Sequence, residues 1–246
     1  EYSEDWRKLI LHAGLSPIAI ISVNDYVEAI EQRLPLIQLS ENWLYAGFSI
    51  PVWYRVLKSI LDVLLAIIIL PLLLLIFLVI CVLILVTMGR PIFFNQKRVG
   101  LNGKEFKIYK FRSMRTCSEN EGAQFAEGKD PRITKFGRFM RASRIDELPQ
   151  FINILKGEMS LIGPRPEQKF FVDIFSKEVP LYSMRHMIKP GITGWAQVSQ
   201  GYAGDTEETK RKLQYDLYYV KHYSLIMDLK VLIRTVYVVL TGFGSR

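Results

Sequence analysis

Asp146 and Glu147 are adjacent carboxylates inside the string RFMRASRIDELPQ, residues 138–150. An aspartate carboxylate can attack phosphorus and form an acyl phosphate. A neighbouring glutamate can hold Mg2+, a hard cation that takes oxygen ligands and shares them with phosphate. A helix is expected over 149–155, with Pro149 at its first position and Gly157 just past its end. Its N-terminus would offer unpaired N–H groups and the positive end of a dipole, which suits a phosphate. Arg138 and Arg141 stand three apart on a helix expected over 134–142, with Arg144 beside them. This gathering suits phosphate chemistry with a metal. The competing reading is that the two acids only complement the helix dipole.

Three further strings carry polar groups. In KFRSMR, 110–115, Lys110 and Arg112 stand at the end of an expected strand and are candidate phosphate ligands. In SLIGPRP, 160–166, Pro164 and Pro166 stiffen the backbone on both sides of Arg165, so its guanidinium loses little freedom on binding. In KPGITGWAQV, 189–198, Trp195 and Gln197 offer stacking and hydrogen bonding to a base or sugar. For each string an ordinary surface run or structural turn is the alternative. No P-loop and no dinucleotide-type glycine fingerprint is present.

The elements that would position these groups start with a membrane segment. Val63–Met88 is a run of 26 residues without a charge, and roughly 20 suffice to cross a bilayer. Pro71 removes a hydrogen bond within it, so a kink is expected there. Arg55 and Lys58 precede the run, and Arg90, Lys97 and Arg98 follow it. Positive flanks mark the cytoplasmic side. A helix that enters, breaks at Pro71 and returns satisfies both flanks; a kinked span is the alternative. Downstream, strands are expected at 91–96 and 106–111 about a Gly100–Gly103 turn, a polar loop at 119–128, and a basic amphipathic helix over 206–240. That helix fits either the membrane interface or the domain core.

The chain has 246 residues, half of them hydrophobic, which excludes a disordered chain. Two cysteines, Cys81 and Cys117, exclude a disulfide scaffold, and three scattered histidines make a histidine-built metal site a poor reading. The formal charge is +8 overall, yet residues 1–54 hold 3 basic and 7 acidic groups while residues 89–246 hold 27 and 16. A basic domain directly after a membrane run points to anionic lipid headgroups rather than nucleic acid, for which no stacking stripe is present. Residues 1–52, with a helix expected at 6–13, a strand-like run at 18–23 and a helix at 25–32, read as a linker or the remnant of a regulatory domain. The first residue is Glu1, which fits a fragment or a processed product.

Taken in order, the strings FFNQKRVG, YKFRSMR, DELPQFINILKGEMSLIGPRP, KPGITGWAQV and YDLYYVKHYSLIMDLK resemble the bacterial sugar transferase family. These are the monotopic polyprenyl-phosphate hexose-1-phosphate transferases, or phosphoglycosyl transferases. The resemblance runs from about Trp53 to Gly244. It implies an α+β monotopic membrane protein: a proline-broken re-entrant membrane helix at 53–90, then a small cytoplasmic catalytic domain at 91–246 with interfacial amphipathic helices. It implies transfer of a sugar 1-phosphate from a UDP-sugar to undecaprenyl phosphate with release of UMP, at the cytoplasmic face of the bacterial inner membrane, in the initiation of polysaccharide or glycoconjugate synthesis. Asp146 matches the family's nucleophile and Glu147 its Mg2+ ligand. Arg141 and Arg165 match its phosphate-contacting arginines, and Pro71 its helix break. Ser199 and Gln200 depart from the residues common before Gly201, and Arg90 stands where glycine is common. Which sugar moves, and whether the enzyme forms a homodimer, stay open. The rival reading is a non-catalytic subunit of a polysaccharide assembly machine.

Overall fold

A computed structural model describes residues 22–36, 50–114, 133–200 and 206–241. The first element is α1, Val23–Tyr26, capped by the Ser22 hydroxyl, which accepts from the Asp25 amide; it runs into a wider turn at Val27–Glu31. Gln32 then takes a left-handed conformation and Leu34 is fully buried in the main core. The helix expected at 25–32 is present, whereas Val23, expected in a strand, is helical. The segments expected at 6–13 and 119–128 lie outside the described residues.

The long helix α2, Val52–Met88, contains the uncharged run. It is the one described helix long and apolar enough to cross a membrane. Lys58, Asp62, Ala66, Leu73, Ile80 and Ile84 are its buried residues. Their spacing of four or seven puts them on one stripe, while apolar side chains on the other faces stay exposed. The break expected at Pro71 does not end the element. Helical structure continues to Met88, since a proline removes a single N–H from the ladder. Both ends of α2 hold the same folded domain. Near its start Lys58 pairs with Asp228 at 2.6 Å and Asp62 accepts from the Ser160 hydroxyl at 2.6 Å. At its end the carbonyls of Met88, Gly89 and Arg90 all accept from Arg112.

The expected hairpin follows as β1, Phe93–Val99, and β2, Glu105–Phe111, antiparallel with Phe93 opposite Phe111 and Val99 opposite Glu105. Asn102 and Gly103, both at positive φ, turn the chain between them. Helix α3, Lys135–Ala142, is capped by the Thr134 hydroxyl accepting from the Gly137 amide. A side chain on Gly137 would lie 1.9 Å from the Ser113 carbonyl oxygen, so glycine lets α3 press against the end of the hairpin. The chain then reverses through Arg144, at φ 55°, into a 3-10 turn, Ile145–Gln150, which leads into α4, Phe151–Leu155. Pro149 therefore sits inside the 3-10 turn rather than opening a helix, and the helical path begins four residues earlier than expected.

The short strands β3, Ser160–Ile162, and β4, Gly191–Thr193, pair in parallel. A side chain on Gly191 would meet the Gly163 nitrogen at 2.1 Å, so the loops leaving these strands touch backbone to backbone. Helices α5, Lys169–Glu178, and α6, Trp195–Ser199, flank this pair. The expected single tail helix is two, α7, Thr206–Lys221, and α8, Leu225–Thr241. Ser224 starts the second by accepting from the Met227 amide, which competes with continuation of the first. On α8, Val231 enters the main core while Ile226 and Leu240 stay about four-fifths exposed. That helix thus both packs on the core and offers an outward apolar face.

Candidate active site

The 3-10 turn Ile145–Gln150 carries the two acids, and packing explains its position. Ile145 and Leu148 flank the dyad and lie against Ile80 and Ile84 of α2, with Phe111 and Met140. The dyad is therefore seated on the helix that carries the membrane segment. Asp146 and Glu147 point elsewhere and are 8% and 6% exposed. Tight turning forced by Arg144 and Pro149 sets them in the first turn, near β2.

The two carboxylates sit in different electrostatic surroundings. Glu147 accepts from Lys110 at 3.0 Å through Oε1, and from Arg165 at 2.7 Å through the same oxygen. Burial alone would favour its neutral form, but Arg165 and Lys110 outweigh burial and hold it ionised far below the usual glutamate range. Asp146 goes the other way. Burial first, and then the negative charge of Glu147, push it up to about 6, against the opposing pull of Lys110, Arg141 and Arg165. Among the described residues no ion pair or hydrogen bond engages the Asp146 carboxylate. One acid is committed to cations, and the other is left with reactive oxygens.

Arg141 reaches the site from the last turn of α3, where its Nε donates to the Ser113 hydroxyl at 3.0 Å. Arg144, half-buried at the same turn, adds a further cation beside Glu147 and Asp146. Lys110, Arg141, Arg144 and Arg165 thus surround two acids. The local surplus of positive charge suits a diphosphate. Among the described residues no cluster of three acidic, histidine or cysteine ligands exists. The donor set fits Mg2+ on one condition, that phosphate oxygens and water complete its shell around the two adjacent carboxylates; it does not form a protein-only cage.

Arg112, expected on a phosphate, is engaged at the end of α2. Its guanidinium is buried against the carbonyls that end α2, and those contacts use it as a helix cap. Trp195 and Gln197, expected on the base or sugar, are placed inside the fold. Trp195 is 1% exposed; its indole N–H donates to the Gln32 carbonyl at 2.8 Å, and the Arg234 guanidinium stands 4.4 Å from its ring centroid. Gln197 is buried and donates to the Ile192 carbonyl. Sequence reasoning noticed Arg144 without assigning it, and its signal is the αL turn that must precede so tight a reversal.

A family model described as bacterial sugar transferase matches residues 53–242. The UDP-N-acetylgalactosamine-undecaprenyl-phosphate N-acetylgalactosaminephosphotransferase of Aeromonas hydrophila is 44% identical over 242 residues, covering 98% of this chain and 57% of the relative. The UDP-glucose:undecaprenyl-phosphate glucose-1-phosphate transferase of Escherichia coli (strain K12) is 39% identical over 195 residues, 78% of this chain and 41% of the relative. The uncharacterized sugar transferase EpsL of Bacillus subtilis (strain 168) is 39% identical over 191 residues, 78% of this chain and 91% of the relative. The chain thus spans about half the length of the first two relatives.

Proposed function

The chain belongs to the bacterial sugar transferase family, and from that premise we propose that it moves a sugar 1-phosphate from a UDP-sugar to undecaprenyl phosphate, releasing UMP. The carrying observation is the unequal dyad. Glu147 is bound to Arg165 and Lys110, while Asp146 beside it has no such partner among the described residues. An Asp146 oxygen attacks the β-phosphorus of the UDP-sugar. The bond from that phosphorus to the bridging oxygen breaks, and UMP leaves with the oxygen. The sugar phosphate is then an acyl phosphate on Asp146. An oxygen of the polyprenyl phosphate attacks the same phosphorus, the bond to Asp146 breaks, and the carboxylate is restored. Arg141 and Arg165 hold phosphoryl oxygens as charge builds on them, and Lys110 and Arg144 raise the local positive potential. Glu147 would hold Mg2+, and the ion would supply charge neutralisation for the diphosphate.

The membrane arrangement supports a lipid acceptor. The dyad's own turn packs on α2 through Ile145 and Leu148. Straight, the 37 residues of α2 would measure about 55 Å against a hydrocarbon core of roughly 30 Å, yet both ends grip one domain. Ends held on one body, each with basic flanks, support a helix that enters and returns on the cytoplasmic side near Pro71. The outward apolar face of α8 supports contact with the bilayer surface.

We take UDP-N-acetylgalactosamine as the first donor to test, because the Aeromonas relative aligns with nearly all of this chain and the glucose transferase with three quarters of it. Purified protein incubated with donor labelled in the β-phosphate and Mg2+, without lipid, should acquire covalent label that Asp146→Asn lacks. An active enzyme that never carries label would overturn the two-step route in favour of direct displacement.

A further inference from the structure

Arg165 can hold Glu147 and a phosphate only if its own backbone is fixed, and two prolines do not anchor a loop to the domain. The anchor lies behind it. Arg185, from the 3-10 turn Tyr182–Met187, is 3% exposed and donates from Nη2 to the Arg165 carbonyl at 2.8 Å. Its other arm donates from Nη1 to the Tyr182 hydroxyl at 2.8 Å, and Asp216 of α7 pairs with Nη2 at 2.8 Å. Neighbouring groups extend the anchor: Arg98 donates to the Pro166 carbonyl, and Lys212 donates to Glu167 at 2.6 Å. A buried guanidinium costs free energy that apolar packing would avoid, so its presence calls for a job that only a fork-shaped donor can do.

We propose that Arg185 is a positioning residue for the transfer reaction, acting through the Arg165 carbonyl to hold the Arg165 side chain on Glu147 and on the incoming diphosphate. It touches neither. The proposal rests on the function argued above and adds a residue to it. The physical ground is leverage. The carbonyl and side chain of Arg165 share one Cα, so freeing the first displaces the second, and misplacement near 1 Å costs about a hundredfold in rate.

The test is Arg185→Lys, which keeps a buried cation for Asp216 but cannot reach Tyr182, Asp216 and the Arg165 carbonyl together. UMP release should fall about tenfold in kcat/KM, carried by a raised KM for the UDP-sugar, with melting within a few degrees of wild type. In a double-mutant cycle, Arg185→Lys should add little once Arg165→Lys is present, because both act through one guanidinium. Should Arg185→Lys fail to fold, Tyr182→Phe loosens the same guanidinium by one bond and should raise KM in the same direction. A cycle in which the losses multiply, or a loss that follows folded fraction with KM unchanged, overturns the positioning role alone. Wild-type protein that releases no UMP from any UDP-sugar overturns the function itself, and the role with it.

Discussion

Lys58, near the start of the membrane helix, pairs with Asp228 of α8 at 2.6 Å, and both side chains are buried. Asp62 lies 3.7 Å from the same ammonium and accepts from Ser160, the first residue of β3. This network ties the membrane segment to the strand that leads into Arg165. Removing one partner of a buried pair strands the other. Lys58→Ala should therefore destabilise the protein by about 3–5 kcal/mol, and adding Asp228→Asn should recover part of it. Thermal melts in detergent check both; equal melting of Lys58→Ala and wild type would count against the network.

Arg112 should behave as a cap. Arg112→Ala leaves three carbonyls at the end of α2 without their charged donor, and about 2 kcal/mol of stability should go with it. The KM for the UDP-sugar in the folded fraction should stay within about twofold. A KM rise without loss of stability would return Arg112 to the phosphate site.

How much of this was legible beforehand depended on how local each signal is. The hairpin and the helix before the dyad follow from neighbours in sequence, so they read correctly. The dyad could be picked out as candidate chemistry because Asp146, Glu147, Arg141 and Arg165 are charged groups that stand close together in sequence or beside stiffening prolines. The partners of Arg112 and Trp195, the end of α2 and the Gln32 carbonyl, were not legible because they are distant in sequence. A conspicuous side chain is no guide to whether it faces a ligand or a helix end. The end of α7 near His222 was hidden because apolar periodicity continues through it; the deciding event is a single hydroxyl, Ser224. Arg185 was invisible for the same reason as Arg112, its target being a backbone carbonyl.

The dyad's two acids should fail differently. Asp146→Asn removes the nucleophile, so UMP release should drop roughly a thousandfold or more. Glu147→Gln keeps the nucleophile but leaves Arg165 and Lys110 without their anion. It should cost about a hundredfold to a thousandfold, and the covalent intermediate should still form slowly. Chelation should stop turnover in wild type, with Mg2+ restoring it. An Asp146→Asn variant that releases UMP at the wild-type rate would remove the dyad from the chemistry.

Acid should destabilise the domain through the anchor behind Arg165. Burial first, then the adjacent Arg185 charge, press the His186 imidazole down to about 4, against a weaker upward pull from Glu167. Glu167 is held near 2; burial opposes its ionisation, but Lys212, Arg185 and Arg98 outweigh that. For both groups the unfolded chain takes up protons more readily than the folded one, so stability rises with pH. The His186 contribution is complete above 6.5 and is lost as pH falls from 6.5 to about 4, at most roughly 3 kcal/mol. The Glu167 contribution goes lower, between about 4.5 and 2. Asp146, pushed up to about 6, works the other way, since the folded chain takes up its proton more readily and gains stability as pH falls through that value. In an Asp146→Asn background, melting temperature should therefore decline from pH 7 to pH 5, and adding His186→Gln should flatten that stretch while leaving the steeper loss below pH 4.5. A double-variant profile parallel to that of Asp146→Asn alone from pH 7 to 5 would show that the imidazole is not what the acid reaches first.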